Sequence, residues 1–117
     1  MGLKAKVQPL MEETPVRVAV RIRPLLPKEK LHGHQTCLQG DPEKKEVTLG
    51  HSQRFQFETI FTETSDQVSV YATCVQPLVE AFLEGFNVTV FAYGQTGSGK
   101  TYTIGEARVC KSTGFLA

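Results

Sequence analysis

A chain of 117 residues has room for one small domain, and its 40% apolar and 21% charged content is that of an ordinary globular protein. The net charge of +1 supplies no bulk field to draw in nucleic acid or an anionic membrane, so neither is an expected partner. No apolar run approaches the roughly 20 residues that span a bilayer, and residues 1–11 lack the apolar stretch of a secretory signal.

Residues 1–14, with mixed charges and Pro9, read as a flexible lead. Over Val16 to Arg23, Val16, Val18, Val20 and Ile22 alternate with Arg17, Ala19, Arg21 and Arg23, which predicts a strand with one apolar and one polar face. Pro24 and Pro27 stop it, because proline cannot donate to a ladder. On the residues alone, the arginines fit a solvated face as well as a binding one. Residues 28–45 are polar and read as loop, with a short strand near Cys37-Leu38. Val47-Thr48-Leu49 and Phe55-Gln56-Phe57, separated by Gly50-His51-Ser52, predict a hairpin. His32, His34 and His51 are scattered over loops and read as surface residues.

Thr64 or Ser65 is expected to cap a helix, with Asp66 in its first turn. Val68, Tyr71, Val75, Leu78 and Phe82 make one apolar stripe, expected to pack on a sheet as core. Pro77 removes a backbone donor inside that helix and predicts a kink or a break. Gly85 is the expected C-terminal stop. The apolar run Val88 to Tyr93 predicts a central strand covered on both faces. Cys37, Cys74 and Cys110 have no zinc-type spacing and read as reduced thiols. Asn87-Val88-Thr89 matches a glycosylation acceptor and reads as idle, since it adjoins the strand expected to be buried.

Gly94-Gln95-Thr96-Gly97-Ser98-Gly99-Lys100-Thr101 is a phosphate-binding P-loop pattern. Glycines let the backbone turn tightly and approach a ligand closely. Successive N–H groups can then face an anion. Lys100 offers a mobile cation to outer phosphates, Thr101 a hydroxyl for Mg²⁺, and Ser98 a further hydroxyl. A chance match in a chain of this length falls below ~1% at ordinary residue frequencies. A helix is expected to begin at Tyr102-Thr103-Ile104, although Gly105 comes early.

Beyond the general pattern, the stretch Phe91 to Thr103 resembles the P-loop segment of kinesin motor domains. Val18 to Pro24, ending in Arg-x-Arg-Pro, resembles the first strand of that family. Leu83-Glu84-Gly85-Phe86-Asn87 resembles its approach to the central strand. The resemblance covers about Pro15 to Glu106. Within the family, Arg23-Pro24-Leu25-Leu26-Pro27-Lys28 and Leu31-His32-Gly33-His34-Gln35 are most similar to the Costal-type kinesins of Hedgehog signalling.

That resemblance implies an α/β fold: the partial P-loop NTPase fold of a kinesin motor, with a mainly parallel central sheet, truncated after the P-loop. It implies ATP and Mg²⁺ as ligands, with Gly94, Gln95, Thr96, Gly97, Ser98, Gly99, Lys100 and Thr101 around the phosphates. Arg21, Pro24 and Tyr102 are the implied neighbours of the adenine. Lys100 and Thr101 are the implied catalytic residues, Thr101 being the metal ligand. It further implies microtubules as partner, through surfaces of the full motor domain mostly absent from this chain, and a place in the cytoplasm, on the cytoskeleton or in the cilium.

The family's two switch motifs, Asn-x-x-Ser-Ser-Arg and Asp-x-x-Gly-x-Glu, do not occur in the sequence. The tail 107–117 is expected not to match the family, as a truncated gene model or retained intron would produce. Val88 to Tyr93 needs strand neighbours on both edges, and the resemblance implies that one comes from the absent half, so marginal folding and negligible ATP hydrolysis are expected of the chain alone. A non-hydrolysing nucleotide-binding or regulatory scaffold is the second reading. A different P-loop NTPase is disfavoured by the residues flanking the loop.

Overall fold

Two small sheets meet across residue 40. The computed structural model describes residues 16–105; the expected lead 1–14, the tail 107–117 and Cys110 lie outside the described residues. Strand β1 (Ala19–Arg21) pairs in parallel with β5 (Thr59–Phe61), with Val20 opposite Ile60. Strands β2 (Leu38–Asp41), β3 (Glu46–Leu49) and β4 (Gln53–Gln56) form an antiparallel meander. The predicted hairpin is thus present as β3–β4, and the short strand expected near Cys37-Leu38 is β2.

The arrangement is mixed α/β with a parallel sheet, but that sheet has two strands among the described residues. β1 is shorter than the predicted strand 16–23. Its ladder runs only where β5 supplies partners, extended by Ile22 N–H donating to Phe61 O at 2.8 Å. Val16 and Val18 lie before it and are exposed.

The core sits between the two sheets. Ile22, Val47 and Ile60 are buried together, with Val20, Leu38 and Phe57 packed against them. Gly40 makes the approach possible. A Cβ there would lie 2.9 Å from Ile22 Cδ1 and 3.1 Å from Ile60 Cγ2. Ile22 therefore faces the meander, as period two requires, and Arg21 and Arg23 face the other way.

The loop expected over 28–45 contains an extra helix, α1 (Pro27–Leu31). Pro27 both ends the strand and opens the helix, because a first helical residue needs no N–H and its φ is already suitable. Glu29 then reaches back and accepts from the Leu26 N–H at 2.8 Å. His32, His34 and His51 are exposed, as the sequence predicts.

The predicted helix is three pieces: α2 (Gln67–Val70), a π-helical turn (Tyr71–Val75) and α3 (Gln76–Leu83). The wide turn ends at Val75, two residues before Pro77, which cannot donate to the carbonyl one turn back. Its cap is neither Thr64 nor Ser65. Asp66 takes that position and accepts from Ser69 N–H at 2.8 Å, while Ser65 Oγ accepts from Thr62 N–H. Hydrogen bonds from Ser69, side chain first and then backbone, hold the Asp66 carboxyl below its ordinary range. Gly85 ends the helix as expected. With φ at 102°, it lets Phe86 N–H donate to Ala81 O and its own N–H donate to Phe82 O, a Schellman closure.

Two expectations fail here. The stripe is not core: Val68 is 72% exposed and Phe82 59%, and the buried residue is Val70. A stripe drawn at constant helical period loses its line at the π turn, and no described strand lies where it would pack. Val88 to Tyr93 forms no strand either. A ladder needs partners, and β1 and β5 pair only with each other among the described residues. Phe91 and Tyr93 are consequently exposed.

Candidate functional site

The P-loop pattern folds as a tight turn ahead of a one-turn helix. Gly97 (φ 82°) and Gly99 (φ 98°) adopt left-handed backbone that other residues disfavour. Ser98 N–H donates to Gln95 O at 3.1 Å, and the Ser98 side chain tucks under Gly94, where an added Cβ would meet Oγ at 2.5 Å. Helix α4 (Lys100–Ile104) begins at once, with Thr103 N–H donating to Gly99 O, and Gly105 closes it. The helix expected after the loop is therefore present, but it begins at Lys100, two residues before the expected Tyr102, and stops at Gly105 after little more than one turn.

The loop holds unspent donors. The N–H groups of Gly97, Gly99, Lys100 and Thr101 have no acceptor among the described residues. Lys100 Nζ donates to the carbonyls of Gly94 (2.5 Å) and Gln95 (2.8 Å), and among the described residues it makes no ion pair. An ammonium satisfied only by neutral carbonyls can exchange them for a charged acceptor.

A cleft of about 390 Å³ opens here, lined by Thr96, Gly97, Gly99, Lys100, Thr101 and Tyr102. This donor set fits a polyphosphate. The Thr101 hydroxyl is exposed and has no partner among the described residues. It suits a hard cation that takes its other oxygens from phosphate and water. Arg21, Pro24, Gly94, Gln95 and Ser98 do not line the cleft; Gly94, Gln95 and Ser98 shape the turn behind it.

The polar face of β1 supplies the flank. Arg21 lies over the Tyr102 ring, 5.1 Å from its centroid, within cation–π range. Its Nη1 donates to Gln67 Oε1 at 2.6 Å and to Thr103 Oγ1 at 3.3 Å. Two of the three expected base neighbours are thus side by side. Pro24, the third, is exposed, and its carbonyl accepts from Arg23.

Arg23 runs its aliphatic stem past Gly99, where an added Cβ would meet Cδ at 3.6 Å. Its guanidinium ends in a bidentate pair with Glu29, at 2.7 and 3.0 Å. The Arg23 bond first and the Leu26 N–H second bring the Glu29 carboxyl down to about 2, and the same bond raises Arg23. Sequence reasoning missed Glu29 and Gln67. The signal for Glu29 was Pro27 followed two residues later by an acid, a helix start. Gln67 gave none beyond following the cap.

Against known proteins, the model of the kinesin motor domain matches residues 21–116. The chain belongs to the kinesin motor domain family. Kinesin-like protein KIF7 of Mus musculus is 63% identical over 109 residues, 93% of this chain and 8% of that protein. The Homo sapiens protein of the same name is 64% identical over the same share of each chain. Kinesin-like protein KIF27 of Homo sapiens is 57% identical over 99 residues, 85% of this chain and 7% of that protein. This kinesin chain therefore spans less than a tenth of the length of these relatives. Its kinship with the Costal-type group, read from the residues after the first strand, agrees with them.

Proposed function

We propose that this chain is the ATP-binding portion of a microtubule-based kinesin motor, built on part of the P-loop NTPase fold. Lys100 and the loop N–H groups hold the phosphates. Thr101 holds Mg²⁺, which when bound shields the charge between phosphates. Arg21 and Tyr102 flank the adenine, with Pro24 at its edge. The observation carrying this reading is the cleft at Lys100, where four backbone N–H groups and an ammonium have no anionic partner among the described residues.

Microtubules are the partner of the full motor domain on this reading, and the cytoskeleton its location, with the cilium for this group. Support comes from the family and from the names of the relatives.

Titration of the purified chain with ATP and Mg²⁺ tests the site. Lys100→Ala is expected to weaken ATP by roughly tenfold or more, the worth of a hydrogen bond to a charged group. An unchanged affinity would refute the site.

A second reading, nucleotide binding without turnover, has one observation in its favour. Among the described residues, the cleft lining contains no carboxylate or imidazole to orient an attacking water. Phosphate release by the chain in the presence of microtubules would exclude that reading.

A further inference from the structure

Helix α4 follows the loop and carries Tyr102, yet it is too short to bury an apolar face. Side-chain bonds tie it to the rest of the molecule. Arg21 reaches Thr103 Oγ1 at 3.3 Å. Gln67, in the first turn of α2, donates through Nε2 to Tyr102 O at 2.8 Å and to Thr103 O at 3.0 Å. Its Oε1 accepts from Arg21 at 2.6 Å.

This arrangement admits only one orientation of the amide. The guanidinium and the two carbonyls fix opposite ends, because arginine can only donate and a carbonyl can only accept. One half-buried side chain thus joins strand β1, helix α2 and the helix of the P-loop. It also sets where the Arg21 guanidinium stands relative to the Tyr102 ring.

We infer that Gln67 is a positioning residue of the nucleotide site: its amide holds Arg21 and Tyr102 together as a platform for a purine base. The inference rests on the proposed nucleotide site and assigns that site a residue outside the P-loop. A carboxylate of the same shape cannot replace the amide. Glu at position 67 would still accept from Arg21, but it has no N–H for the two carbonyls and would repel them. Helix α4 would lose this tether while the phosphate donors of the loop stayed intact.

The test uses the whole chain, ¹⁵N-labelled, as wild type and Gln67→Glu, titrated with ATP and with inorganic tripolyphosphate in Mg²⁺. Gln67→Asn, whose shorter stem cannot span both partners, substitutes if Gln67→Glu loses the wild-type circular dichroism spectrum. The amide resonances of Thr103 and Ile104, whose peptide units contain the two acceptor carbonyls, are expected to shift in the variant. ATP affinity is expected to fall about tenfold, while that of tripolyphosphate changes less than about twofold. Unmoved amides would overturn the inference. So would an equal loss for both ligands, which would mark the tether as merely structural. A wild-type chain that bound neither ligand would refute the proposed nucleotide site instead. In that case the amide comparison would still decide whether Gln67 holds the helix.

Discussion

Glu29 accepts from Arg23 with both oxygens and from the Leu26 N–H with one of them. It therefore fixes the start of α1 and the course of Arg23 past Gly99 at the same time. Its folded value of about 2 lies below the ordinary 4.5. A depressed carboxyl stabilises the fold fully above the ordinary value, and that contribution is lost as pH falls through the folded one. Glu29→Gln is thus expected to melt below wild type at pH 6, with the gap closing between pH 4.5 and about 2. A gap that stayed constant across that range would remove the charge from the account. The pair is partly exposed, so added salt should narrow the gap at pH 6 as well. The sequence marks Glu29 as part of a helix start but not as the partner of Arg23, because the two meet only after Pro24 and Pro27 turn the chain.

The elements with the clearest local chemistry were legible. Alternation placed β1 and divided its faces, Gly50-His51-Ser52 placed the hairpin, and Pro77 and Gly85 marked the break and the end of the helix. Gly40 shows what was not legible. It reads as a loop residue, yet it lies in β2, where only a hydrogen fits between the sheets. Gly40→Ala is expected to cost about 1–3 kcal/mol by overpacking, measured as a lower thermal midpoint. Ile22 Cδ1 is the nearest atom, so adding Ile22→Val should recover part of that loss. Strictly additive losses in the double variant would count against the contact. The stripe on α2 and α3 failed for a related reason: periodicity gives a face but does not supply the surface that covers it.

At the scale of the whole molecule, five apolar residues are buried among the described residues, and three of them, Ile22, Val47 and Ile60, form one cluster. The run 88–93 has the composition of a buried strand but takes no strand pairing, leaving Phe91 74% exposed. Composition can specify a strand, but only neighbouring strands can satisfy it. Exposed apolar surface of this kind promotes self-association, so Phe91→Lys is expected to lower light scattering by the purified chain at equal concentration. An unchanged signal would place the sticky surface elsewhere. The two faces of β1 serve two different parts of the molecule. Ile22 turns into the core while Arg21 and Arg23 turn toward the P-loop and its helix. Reversing these faces would drive guanidinium groups between the sheets and leave an isoleucine beside the loop. Core and cleft are therefore proofread by the same decision, and a chain that folds β1 wrongly cannot present a half-working site.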